Sequence, residues 1–374
     1  MLDKEIKYLG SGIHDRSSSF FLAGVQMPDP KANAGILSLA AYIPKTYHDA
    51  EYIAAHSETP AEIIRTKLGW YQKTVPGPED HTVAMALKAA RRALYYSGLK
   101  PSDIDLVIWS GEEVKEYRSW PVGPKIQKEL GLGKAWSFDL QQRCGTTLVA
   151  LKLARDMIRG DDSIHNVLIA TGYRNSDLID YQNPRLRWMY YLAAGGAACI
   201  LQRDCPKNRI LEGHFMSDGT FAFDVYVPAG GAAHPMTLEL LEKRKQYLEV
   251  FDPEGMKDRL EKVSLSNWLF CIDKALEKSG YSRKDVTYLD TLLVKRSAHD
   301  ALVRELGLKP HQTRYLAELG HHGQNDQILS LELAIEEGRI RDGDLILMIS
   351  AGIGYAWDAL VVRWGEEGKG KGGK

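Results

Sequence analysis

The feature that most constrains this chain is that part of its text is written twice. KAARRALYYSGLKPSDIDLVIW, residues 88–109, is echoed by CIDKALEKSGYSRKDVTYLDTLLV, residues 271–294. Ala93-Leu94, Ser97-Gly98 and Asp103-Ile104 correspond to Ala275-Leu276, Ser279-Gly280 and Asp285-Val286, each 182 positions on. A second stretch, LKLARDMIRGDDSIHNVLIATG, is echoed by LSLELAIEEGRIRDGDLILMIS, with Gly160 against Gly338 at an offset of 178. Helix–Gly–loop–strand text recurs by chance in α/β proteins. Two matches in the same order at nearly equal offset argue instead for duplication, and so for two pseudo-symmetric α/β halves.

The individual segments read accordingly. GILSLAAYIP is an apolar strand stopped by Pro44. DHTVAMALKAARRALYYSG has helical spacing and ends at Gly98, a residue suited to a helix C-terminus. LVIW and NVLIATG read as buried strands, and VALKLARDMIRG as an amphipathic helix. Residues 1–34, with SSS, PDP and KANAG, read as an N-terminal extension, and residues 365–374, rich in Gly and Lys, as a disordered tail. That leaves halves at 35–208 and 209–364.

Composition narrows the class of function. The 374 residues are 44% hydrophobic with a formal net charge of −1, which gives no reason to expect a nucleic-acid or membrane partner. No run of about 18 apolar residues suggests a membrane span, and the first residues lack the apolar run of a signal peptide. The four cysteines fall at no metal-ligand spacing, and the expected compartment is the reducing cytoplasm.

The repeat also picks out chemistry. Shifted by 178, Cys144 falls on His322, beside His321, so a thiol and a His-His pair stand just before corresponding helices. Cys144 follows the strand-like FDL and precedes Gly145 and an apolar helix. A helix N-terminus favours thiolate, although a cysteine there also suits a plain core. GHHGQNDQ, residues 320–327, suits a tight loop entering a helix, with His321 five residues before Asp326: a base and its orienter, or a plain connection. In SAGIGYAW, Gly352, Ile353 and Gly354 follow a buried strand and offer backbone N–H groups to an oxyanion. Glu112 and Glu113 follow the strand LVIWSG and read as exposed loop acids, with Glu113 a candidate accessory group. His299 is a second accessory candidate, or a capping or surface histidine. Lys295 and Arg296 suit phosphate groups, and the aromatic-basic NPRLRWMYYLAAGGAA suits either a tunnel wall or a core. No metal site is assigned.

Taken together, these residues resemble the thiolase superfamily and, within it, β-ketoacyl-ACP synthase III, from about Gly35 to Trp364. SLAAYIPKTYHDAEYI, DIDLVIWSG, FDLQQRCGTTLVAL and GRIRDGDLILMISAGIGYAWDALVVRW carry the likeness in order and spacing, Trp357 included. The resemblance implies two βαβαβαββ halves in a five-layered αβαβα thiolase fold. It implies no permanently bound cofactor, acyl-CoA or acyl carrier protein as substrate, and a homodimer, with Trp120 in the loop that crosses to the partner. Cys144 would take the acyl group, and backbone N–H groups of Cys144 and of Gly352–Gly354 would form the oxyanion hole.

The family's histidine after the strand is replaced here by VKRSAH, and its asparagine position is held by His321. GHHGQNDQ is similar to a divergent branch with a GHxGxxDQ motif, used in polyketide priming and acyl transfer. On that likeness Cys144, His321 and Asp326 form a triad, suited to deprotonating a heteroatom acceptor. Where the family has arginines that hold CoA, GWYQKT has only Lys73. Two rivals remain: an HMG-CoA synthase-like enzyme, for which KTVPGPEDHTVAMA and Glu113 speak, and a non-catalytic partner subunit of another thiolase-fold protein.

Overall fold

The computed structural model describes residues 33–112 and 114–366. The expected N-terminal extension, apart from its last two residues, lies outside the described residues. So does the expected tail, apart from Gly365 and Glu366.

The first half runs β1 (Ala34–Tyr42), β2 (Thr46–Asp49), α1 (Ala50–His56), α2 (Ala61–Ile63), β3 (Gln72–Val75), α3 (Thr82–Ser97), β4 (Leu106–Ser110), α4 (Gly123–Leu130), β5 (Trp136–Leu140), α5 (Thr146–Gly160), β6 (Asn166–Tyr173) and β7 (Gly195–Arg203). The second runs β8 (Lys207–Ser217), β9 (Val225–Tyr226), α6 (Leu238–Glu242), β10 (Glu249–Val250), α7 (Pro253–Ser279), β11 (Tyr288–Thr291), α8 (Arg296–Glu305), α9 (Asp326–Glu336), β12 (Leu345–Gly352) and β13 (Ala356–Glu366).

Nine strands form one sheet in the order β11-β12-β13-β8-β1-β7-β6-β4-β5. Read outward from its centre, the order has the symmetry that the repeat implies: β1 mirrors β8, β7 mirrors β13, β6 mirrors β12 and β4 mirrors β11. The halves meet at β1 and β8 through Gly35 opposite Arg209. The partner expected for β5 is reduced in the second half to one bridge, Leu289 to Thr313.

Helices fill the remaining layers. α3 covers β1, β6 and β7, α4 covers β4 and β5, and α7 covers β8 and β13. Between the halves, α5 touches β4, β6 and β7 on one side and β12 and β13 on the other, while α9 touches β1, β7, β11 and β12. This gives α, β, α, β, α in sequence, the expected five layers. Sandwiching explains the text of the strands: all eight residues of β6 are buried, since both faces are covered. α3 approaches closely because its inner face is small, Ala86, Ala89, Ala90 and Ala93, and because Gly196 admits its backbone. A Cβ on Gly196 would stand 2.4 Å from the Met85 carbonyl carbon.

Candidate active site

The parallel strands β4, β5 and β6, and β11 with β12, end on one region, and the loops leaving them hold the site. Ligand sites in open α/β sheets collect at such carboxyl ends. After β5, the chain turns through Gln142, Arg143 and Cys144 into α5. Arg143 takes the left-handed conformation at φ 52°, and Thr146 clasps the turn, its Oγ1 accepting from Gln142 N (2.7 Å) and donating to the Arg143 carbonyl (2.5 Å). Cys144 is thereby left just ahead of the helix, 7% exposed.

The second half supplies the base. His321 Nε2 lies 3.2 Å from Cys144 Sγ, and His321 Nδ1 lies 2.5 Å from Asp326 Oδ2. Asp326 begins α9 and also accepts from Leu293 N and His322 N, each at 2.7 Å. Two glycines permit the entry loop. Gly320 has φ 81°, and a Cβ there would stand 2.5 Å from Lys73 Cβ; Gly323 has φ 59°, with Tyr173 Cε2 at 2.2 Å from such a Cβ. Two of the other polar residues of the motif tie the halves together, and the third bonds within its own half. Gln324 Nε2 donates to Gly172 O, Thr171 Oγ1 to Asn325 Oδ1, and Gln327 Nε2 to Ile349 O.

The offset pointed to His322 and the structure brings His321 instead. The cause is steric: His322 packs on Gly195 and has Thr74 Oγ1 at 3.0 Å and the Leu319 carbonyl at 3.2 Å from its Nε2. Burial lowers its pKa to about 4, so it is neutral. His321 goes the other way. Burial alone would lower it, but Asp326 and the nearby sulfur raise it to about 10. Burial raises the Cys144 thiol against the pull of His321. The two are in direct contact and titrate as a pair.

Glu112 is the residue that sequence reasoning missed. It is buried, not an exposed loop acid, and its Oε1 lies 3.9 Å from Cys144 Sγ. Asn175 Nδ2 donates to its Oε2 at 2.7 Å, and Arg143 Nη1 lies 3.5 Å away. The available signal was position: Glu112 follows β4 and Asn175 follows β6, at the same strand ends as the cysteine turn. Glu113 lies outside the described residues.

Other expectations fare differently. Gly352 lies against the nucleophile turn: a Cβ there would meet Gln142 O at 2.7 Å and Cys144 N at 3.6 Å. Ile353 lines the cavity beside it and Gly354 does not. His299 is buried away from the cavity, next to Tyr315, with Thr313 Oγ1 at 3.2 Å. Lys295 stands at the cavity, whereas Arg296 pairs with Asp300 at 2.9 Å. Lys73 is fully buried and donates to the Leu192 carbonyl at 2.7 Å, so it holds the backbone beside His321 and cannot meet a phosphate. Burial lowers its pKa to about 7.

Cys144, His321 and Glu112 open on a cavity of about 1050 Å³. The 184–192 stretch forms one wall, with Arg185, Trp188, Met189 and Tyr191 facing it. The indole N–H groups of Trp70 and Trp188, both on the cavity, have no partner among the described residues. Among the described residues no group of three or more His, Cys, Asp or Glu is arranged to hold a metal ion. None of their helices is long and apolar enough to cross a membrane.

Fold and site thus define a protein of the thiolase fold with a thiol–imidazole–carboxylate relay where its halves meet. Residues 138–219 match the model of 3-oxoacyl-[acyl-carrier-protein] synthase III, and residues 276–364 match the model of its C-terminal domain. The chain is 28% identical over 343 residues to the β-ketoacyl-[acyl-carrier-protein] synthase III of Symbiobacterium thermophilum, covering 88% of this chain and 98% of that one. Among solved structures, the enzyme of the same name from Thermus thermophilus superposes with TM-score 0.77 at 24% identity, over 89% of this chain and 99% of that one. The priming β-ketosynthase of the R1128 polyketide pathway does so with TM-score 0.78 at 22% identity, over 89% and 97%. Both halves of the chain are thus similar to 3-oxoacyl-[acyl-carrier-protein] synthase III, on a thiolase fold.

Proposed function

We propose that this protein is an acyltransferase of the β-ketoacyl-ACP synthase III type, with Cys144, His321 and Asp326 as its triad. The observation that carries the reading is the Sγ–Nε2 contact of 3.2 Å backed by the Asp326 carboxylate. His321 takes the thiol proton as sulfur attacks the thioester carbonyl of acyl-CoA or an acyl carrier protein. The departing thiolate then recovers that proton, leaving the acyl group on Cys144. The Cys144 N–H and the backbone of Gly352–Gly354 would receive the oxyanion, a reading supported by Gly352 lying against the Cys144 turn.

The acyl group passes next to malonyl-ACP with loss of CO2, or to a hydroxyl, amine or thiol that His321 deprotonates. The GHxGxxDQ likeness favours the heteroatom route. Glu112 supports a condensing route, including the HMG-CoA synthase-like one, because it offers a second base on the same sulfur. A non-catalytic subunit has no use for the full relay. We further infer a cytoplasmic homodimer, supported by four unpaired cysteines and by β5 at the sheet edge with Trp136 half exposed.

Intact-protein mass spectrometry after mixing with acyl-CoA and acyl carrier protein thioesters tests the reading. An acyl adduct is expected on the wild type and not on Cys144→Ala. No adduct from any donor would remove the proposal, and product analysis with malonyl-ACP or heteroatom acceptors sorts the routes.

A further inference from the structure

The cavity is larger and more apolar than acetyl requires, and that excess has a definite location. At about 1050 Å³ it lies at the upper end of the roughly 300–1,000 Å³ typical of pockets that bury a whole drug-sized ligand, whereas acetyl adds only two carbons to the donor arm.

Part of the wall is made of Met189, Val225, Leu248, Met256 and Leu260, with no polar side chain among them. Val225 lies in β9 and Leu248 immediately precedes β10; in this two-stranded ribbon Val225 pairs with Val250 and Tyr226 with Glu249. The ribbon is tied down from both sides. Arg244 makes two bonds to Asp180, of 2.7 and 2.8 Å, and Arg259 Nη2 reaches both Asp224 oxygens at 2.6 and 2.7 Å. Leu248 N donates to Leu178 O at 3.0 Å. The wall is therefore held in place rather than resting on loose loops. Its two methionines suit a flexible chain, since thioether side chains adapt to irregular apolar partners. The donor arm carries amides, and most charged positions on the cavity, Arg185, Arg187, Glu254, Lys257, Glu261 and Lys295, lie at exposed residues, while Glu112 and Arg143 stand beside Cys144. The polar arm and the apolar occupant thus have separate places.

We infer that the acyl group carried by Cys144 is an aliphatic chain of about eight carbons or more, lodged against the Met189–Val225–Leu248–Met256 wall. This rests on the acyltransferase reading. The experiment is a competition for Cys144 among acetyl, octanoyl and dodecanoyl thioesters at equal concentration, offered both as CoA and as acyl carrier protein thioesters and read by intact mass. Octanoyl or dodecanoyl adducts are expected to form at least about tenfold faster than acetyl, since each methylene in an apolar pocket is worth that or more. Leu248→Trp and, as a milder change, Val225→Phe are expected to reverse the preference while acetylation persists. Equal or faster acetylation of the wild type overturns the inference and leaves the acyltransferase reading standing. An unchanged preference in a variant that still acetylates also overturns it, because the chain then lies elsewhere. No adduct from any donor removes both.

Discussion

The starts of α5 and α9 are the same element in two copies, and they have been given opposite tasks. Before α5 the turn is short, clasped by Thr146, and presents a thiol. Before α9 the loop is longer, carries a turn of 3₁₀ helix at Gly323–Asn325, and presents an imidazole with its carboxylate. Each start also faces a buried carboxyl group besides Glu112, which stands beside the thiol of α5. At α9 it is Asp326 itself, bonded by two backbone N–H groups and His321. At α5 it is Asp358 of β13, whose Oδ2 would stand 2.2 Å from a Cβ on Gly145 and which accepts from Ser350 and, at 3.4 Å, Gln142. A duplicated scaffold fixes where groups meet, while the residues at each end decide which proton each one holds.

The largest expected effect breaks the pairing of the two starts. His321→Ala removes the base and is expected to slow acylation of Cys144 by about 10²–10⁴-fold. His322→Ala is expected to leave that rate within about threefold and to lower stability by about 0.5–3 kcal/mol, because a buried ring packed on Gly195 and bonded to Thr74 is removed. Stopped-flow acylation beside urea unfolding separates the two. Equal slowing by both would mean that the adjacent histidines exchange roles.

Asp326→Asn keeps the shape and removes the charge. Asp326 raises the imidazole to about 10 against the pull of burial, so its loss is expected to bring His321 down and slow acylation by about 10²-fold at pH 7. The limb of the pH–rate profile belonging to the imidazole should move to lower pH. An unshifted limb would show that Cys144 and His321 pair without help from the carboxylate.

How far these groups were legible depended on how local they were. The repeat gave the division into two pseudo-symmetric α/β halves, because each copy must bury its own faces. The thiol, the imidazole and Asp326 were legible because glycines and helix starts are local signals. Glu112 was not, since a pair of acids after a strand looks the same whether it faces solvent or Asn175. Lys73 misled for the same reason: a lone lysine in a polar stretch does not reveal that it points inward at a carbonyl. The choice between His321 and His322 turned on Gly195, more than a hundred residues away. The β9–β10 ribbon left no periodic trace, because its strands are two residues each.

A smaller effect tests the carboxyl facing α5. Burial pushes Asp358 from 3.8 to about 7, against the bonds from Ser350 and Gln142. Between those values the folded chain keeps a proton that the unfolded chain has released. Stability should therefore fall as pH rises from 4 to 7, by about 1 kcal/mol per unit. Asp358→Asn is expected to flatten that slope, as measured by urea unfolding at several pH values. An unchanged slope would place the titration elsewhere, Asp290 being the next buried carboxyl raised by burial.

The smallest effect asks whether the two halves still match where function has not separated them. Gly98 ends α3 at φ 71° and Gly280 ends α7 at φ 80°, and a Cβ on either meets nothing within 4 Å. Only the left-handed backbone opposes a side chain there, so Gly98→Ala and Gly280→Ala should each cost about 1 kcal/mol. Equal shifts in the urea midpoint would mean the caps remain interchangeable, as their shared Ser-Gly text implies. A much larger cost at Gly280 would trace to α7, whose last turn closes on that residue through both Glu277 and Leu276 carbonyls, where Gly98 uses Tyr95 alone.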